Sequence, residues 1–165
     1  MFSFFKTKVS IDECASLYAQ KMVFQAIMFN GLHDIKNIGE ALAIISNIWS
    51  YGTMCIMMHK EPLALPLMQM TIQFAITMLE EEGNHEIRNI FTEAVAHYNS
   101  ALAKADIKTG GDLIMYLHKE VCFRNNIEYD DVCEAEPVLM SIGELTDRIF
   151  AQIRHQTRNL KLIFK

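Results

Sequence analysis

Two pairs of side chains, each set four residues apart, are the first candidates for chemistry: Glu93 with His97, and His118 with Cys122. On a helix that spacing brings both side chains to one point, which metal binding and the activation of a nucleophile both require. Zinc needs about four ligands, and a catalytic cysteine needs surroundings that lower its pKa. Cys133 is the nearest further donor, and its distance from His118 and Cys122 fits no zinc spacing. The four residues are therefore candidate ligands for a metal-binding or thiol-dependent enzyme built on a helical bundle.

Other chemistries find less support. A di-iron bundle uses Glu-x-x-His on inward-facing helices, and the one instance, Glu82 to His85, is interrupted by Gly83 and Asn84. The chain carries no glycine-rich phosphate loop, no G-x-S-x-G elbow and no H-E-x-x-H run. The sequence is read as that of a non-enzyme without a cofactor.

The elements that would position these residues read as helices. Half of the 165 residues are hydrophobic (51%) and 21% are charged, which is a composition for a core and not for a disordered chain. Neither repeat nor linker divides it, so residues 1–165 are expected to form one domain. Ser10-Ile11-Asp12-Glu13 has capping-box spacing, and Ile11, Ala15, Tyr18, Met22, Ala26 and Phe29 recur at helical intervals up to Gly31. Asn37-Ile38-Gly39-Glu40 starts a second helix toward Met58, and a third spans Leu63 to Glu82 and stops at Gly83. Asn84 is expected to cap a fourth. Asp112 caps a fifth from Leu113 to Arg124, a short turn covers 130–136, and Pro137 opens the last. Strand alternation is absent. The fold expected is all-α, a compact bundle of about six helices around a largely apolar central hairpin.

That hairpin is the unusual feature. Ala41 to Met58 and Pro62 to Leu79 carry no charge and are separated by His59-Lys60-Glu61. As helices each would run about 27 Å, just short of the roughly 30 Å hydrocarbon slab. A membrane-associated protein using the 41–79 hairpin is thus one alternative. The polar residues argue against it: Ser46, Ser50 and Thr53 share one side, and Gln69, Gln73, Thr77 and Glu80 make a stripe, as at the edge of a helix that meets water. If the remaining helices cannot cover this pair, Met54, Met57, Met58, Met68 and Met70 would line a dimer interface or a partner groove.

Charge is unevenly placed. Glu128, Asp130, Asp131, Glu134 and Glu136 cluster without a cation, whereas Arg154, Arg158, Lys161 and Lys165 follow helical spacing as a basic stripe. The stripe is a second expected partner-binding surface, for an acidic protein or anionic lipid. A net charge of −5 and the lack of aromatics among these cations argue against nucleic acid. The four cysteines form no C-x-x-C pair, and the apolar run before Lys6 is too short for a secretion leader, so a cytoplasmic protein with reduced thiols is expected. Phe91-x-x-Ala94-x-x-x-Tyr98-x-x-Ala101-Leu102 resembles the second helix of a tetratricopeptide repeat, over a dozen residues. No copy lies about 34 residues to either side, so the stretch is read as an amphipathic helix. The functional expectation is contact with another protein or with a second copy of the same chain.

Overall fold

In a computed structural model the described residues are 6–33, 35, 37–83, 85–129 and 132–164, with residues 132–134 described by backbone alone. They form six helices: α1 (Ile11–His33), α2 (Ile38–Ile56), α3 (Ala64–Glu81), α4 (Ile87–Leu102), α5 (Gly110–Asn125) and α6 (Val132–Asn159). Two short strands, β1 (Thr7–Ser10) and β2 (Leu160–Ile163), join the two ends of the chain as a parallel pair with Thr7 opposite Leu160 and Ser10 opposite Ile163. The all-α architecture read from the sequence is the one observed.

α2 is the axis. Every residue from Ala41 to Trp49 is buried, and the helix packs against α1, α3, α4 and α6. Its small residues set how close the neighbours come. A Cβ on Gly39 would lie 3.1 Å from the Ile87 carbonyl of α4, and one on Gly52 would lie 2.7 Å from Ile153 Cδ1 of α6. Asn37 caps the helix by accepting from the Gly39 amide at 2.7 Å. α3 is less central than a core hairpin implies. It rests chiefly on α1 and exposes Leu65 and Phe74. Among the described residues no helix is long and apolar enough to cross a membrane.

The differences from expectation are the β1–β2 pair, where no strand was expected, and several helix ends. The Ser10 hydroxyl is buried without a hydrogen-bond partner, because Ser10 closes β1 instead of capping α1. α1 runs past Gly31 to His33, whereas Gly83, at φ 96°, ends α3 as expected. Asn84 lies outside the described residues. At α5 the cap is Thr109, not Asp112. The Thr109 hydroxyl accepts from the Asp112 amide and the Asp112 carboxylate accepts from the Thr109 amide, so both glycines fall inside the first turn. α6 begins at Val132 and continues through Pro137, which close to a helix start forfeits a single amide hydrogen bond.

Candidate functional site

The two candidate pairs do not act as pairs. Glu93 points outward with its side chain 79% exposed, and its carboxylate is 3.8 Å from Arg124 Nη2. His97 instead meets Glu120 of α5, Nε2 to Oε2 at 2.7 Å, with its ring stacked on Phe123. The His118 Nε2–H donates to the Ala135 carbonyl at 2.8 Å, which leaves Nδ1 buried without a partner. Burial pushes the Cys122 thiol up, the reverse of what a nucleophile needs. The Cys133 side chain lies outside the described residues. Among the described residues no group of three His, Cys, Asp or Glu side chains could hold a metal ion. His97 and His118 anchor helices to each other.

The most developed polar cluster went unread in the sequence. Glu40, buried at the start of α2, accepts hydrogen bonds from Arg124 Nε at 2.7 Å, from Arg124 Nη2 at 2.9 Å, and from the Tyr98 hydroxyl. Tyr98 is fully buried, and its hydroxyl is held far above the usual tyrosine range by burial and then by the Glu40 carboxylate. The Tyr116 hydroxyl donates to the Tyr98 carbonyl at 3.1 Å. The cluster ties α2, α4 and α5 together with a two-pronged guanidinium–carboxylate contact. Tyr98 is thus held in its protonated form, donating to a carboxylate whose hydrogen bonds lock the three helices together.

Among the clefts on the described surface, three bear on the expected partner surfaces. The polar stripes of the two uncharged helices meet across one of them, about 280 Å³ in volume, where Ser46 and Ser50 of α2 face Gln69 and Gln73 of α3 and Asn99 of α4. Ser46 and Asn47, only 2% and 5% exposed, both donate to the Ala43 carbonyl, so the polar side of α2 is buried and satisfied by its own backbone where the spacing implied an edge that meets water.

The second cleft, also about 280 Å³, lies between α1 and α6 and is lined by Phe24, Met28, Leu32, Glu144, Leu145 and Arg148. Along its α1 side Leu17, Phe24, Met28 and Leu32 form one stripe, exposed by 50%, 64%, 49% and 67%. The six residues of α1 that recur from Ile11 to Phe29 at helical intervals lie on another face and are all buried. The signal for the exposed stripe was present: four large apolar residues at helical spacing on the side left for water. The central methionines contribute less than expected. Met57 and Met68 are buried in the core and Met70 is half-buried, so only Met54 and Met58 are exposed.

The third cleft, about 390 Å³, is basic. It is lined by Cys55 and Ile56 from the end of α2, His59 and Lys60 from the turn beyond, and Arg154, Thr157 and Arg158 from the end of α6. The basic stripe is shorter than its spacing suggests, because α6 ends at Asn159 and Lys161 lies on β2; Lys165 is outside the described residues. Arg154 and Arg158 are instead brought to Lys60, a residue on a different element. No known protein family matches this chain, and neither does any curated protein or any solved structure.

Proposed function

We propose that this chain is a non-enzymatic helical protein that works by protein–protein contact, and that its contact is with a second copy of itself. One observation carries the reading: the exposed ridge Leu17–Phe24–Met28–Leu32 runs beside the α1–α6 cleft. Apolar side chains exposed together in this way exceed what a monomer's surface needs and mark an interaction site. Ridge and cleft lie on one patch, which is the condition for an isologous dimer. Phe24 and Leu32 stand four residues to either side of Met28. An antiparallel pairing about a twofold axis at Met28 therefore sets Phe24 of one copy against Leu32 of the partner subunit. At the rim the Glu144–Arg148 ion pair (2.9 Å) is neutral, and Lys21 is the one charged residue set within the ridge, between Leu17 and Phe24.

The test is the mass of the chain in solution. Light scattering at about 100 µM, well above the dissociation constant of a stable interface, is expected to give twice the 18.9 kDa chain mass. Phe24→Asp with Leu32→Asp is expected to give the single-chain mass with the helical circular dichroism unchanged, since both side chains are already largely exposed. A wild-type monomer at that concentration overturns the reading.

A further inference from the structure

The geometry points to the cleft between the C-terminal ends of α2 and α6 as a binding site for a small phosphate monoester, held by Lys60, Arg154 and Arg158 with His59 at its edge. The site is separate from the α1–α6 ridge and does not rest on the association reading.

The five arginines of the chain divide by whether a carboxylate meets them. Arg88 forks onto Glu80 at 2.9 and 2.7 Å, Arg124 onto Glu40, and Arg148 meets Glu144 at 2.9 Å. Arg154 and Arg158, the two others in the chain, meet no carboxylate among the described residues, and both line this cleft. Lys60, unpaired in the same sense, lines it from the opposite wall. In a chain with 20 acidic against 15 basic residues, three neighbouring cations with no counter-charge among the described residues are out of proportion to the composition. The nearest carboxylate in sequence, Glu61, forms no ion pair with these cations among the described residues; its two oxygens accept from the Leu63 and Leu162 amides at 3.3 and 3.4 Å.

Two features favour phosphate over a monovalent anion. Paired guanidinium forks match the oxygens of a tetrahedral dianion, and arginine is more weakly hydrated than lysine, so less is lost on contact. Arg154 is also pre-positioned, its guanidinium 6.0 Å from the Phe150 ring centre, and that ring stacks on Tyr51. The helix ends contribute in the opposite sense. Each C-terminus carries roughly half a negative charge, so the ends of α2 and α6 explain about one cation and leave the others uncompensated. A volume of about 390 Å³ has room for a phosphate with a small organic group attached. Cys55, exposed on the cleft wall, supplies a reporter.

The experiment uses the full chain and measures the alkylation rate of Cys55 by peptide mass spectrometry. Inorganic phosphate and glycerol 3-phosphate are the probes, each compared with chloride at equal ionic strength. Both are expected to slow alkylation saturably, by about tenfold at ten times the dissociation constant, and to raise the melting temperature. Arg154→Gln with Arg158→Gln is expected to abolish both effects. These side chains are exposed, so the pair should melt like wild type without ligand, and Lys119→Gln, away from the cleft, should behave as wild type. Phosphate acting no differently from chloride overturns the assignment, as does protection that survives loss of both arginines. Binding to phosphatidylserine vesicles without any response to the two soluble probes overturns it in favour of a membrane surface.

Discussion

Arg124 and Glu40 are 84 residues apart in the chain and joined by two hydrogen bonds, of 2.7 and 2.9 Å, with the carboxylate side chain only 4% exposed. Removing one member of such a pair strands the other. Arg124→Met is therefore expected to lower stability by about 3–5 kcal/mol. Tyr98→Phe, which takes away one of three donors to the same carboxylate, is expected to cost about 1.5–3 kcal/mol. Glu40→Gln combined with Arg124→Met should cost well under the sum of the single changes, since neither then leaves a bare charge. Urea unfolding monitored by circular dichroism reads all of these. An Arg124→Met midpoint within error of wild type would refute the account.

The same pair shows why parts of the molecule were illegible in the sequence. Asn37-x-x-Glu40 reads locally as a helix start, and half of that is correct, because Asn37 does cap α2. The partners of Glu40 sit on α4 and α5, and no local pattern reveals contacts 58 and 84 residues away. β1 and β2 failed for the same reason. Four residues are too few to show alternation, and each strand finds its partner at the other end of the chain. What periodicity could show, it showed: Ile11, Ala15, Tyr18, Met22, Ala26 and Phe29 are all buried on α1. Methionine type alone could not separate core from surface, since Met57 and Met68 are interior while Met54 and Met58 are exposed. The basic cleft depended on where α6 stops, and helix ends are the least readable feature of any sequence.

His33 should make stability depend on pH near neutrality. Its ring lies 4.9 Å from that of Phe29 and its Nε2 is 2.7 Å from the Ser141 hydroxyl, and burial lowers its pKa below the usual histidine value. The unfolded chain then takes up a proton at a higher pH than the folded one. Stability from this group is complete above the unfolded value of 6.5 and is lost as pH falls from there toward the folded value. Nuclear magnetic resonance titration of the His33 ring should give a midpoint under 6.5. The stability difference between wild type and His33→Gln should be larger at pH 7 than at pH 5. A midpoint at or above the unfolded value would reverse the sign and refute the prediction.

The thiols should react in an order set by burial. Cys14 is 3% exposed and pushed up to about 11 by desolvation, with Lys21 opposing weakly, and Cys122 is raised by the same cause. At pH 8 about one Cys14 thiol in a thousand is ionised, and access is closed as well. Iodoacetamide on the native chain should label Cys55 and leave Cys14 and Cys122 until the protein is unfolded in urea. Rapid native labelling of Cys122 would contradict the packing described and revive a reactive-thiol reading of the His118–Cys122 pair.

Two glycines in helix interiors separate packing from intrinsic propensity. Gly52 sits where α2 crosses α6, and an added Cβ would fall 2.7 Å from Ile153 Cδ1 and 3.0 Å from the Phe150 ring. Ile153 is completely buried, so its methyl has little room to turn aside. Gly143, within α6, has nothing within 4 Å of the same added atom. Alanine gains about 1 kcal/mol over glycine inside a helix in either place, whereas overpacking costs about 1–3 kcal/mol only at the first. Gly143→Ala is thus expected to raise the melting temperature, and Gly52→Ala to leave it unchanged or lower it. Because the propensity contribution is common to both, their difference of about 1–3 kcal/mol measures the α2–α6 contact alone. Equal gains from the two substitutions would mean that α2 and α6 do not approach this closely, and that the basic cleft at their ends is wider than described.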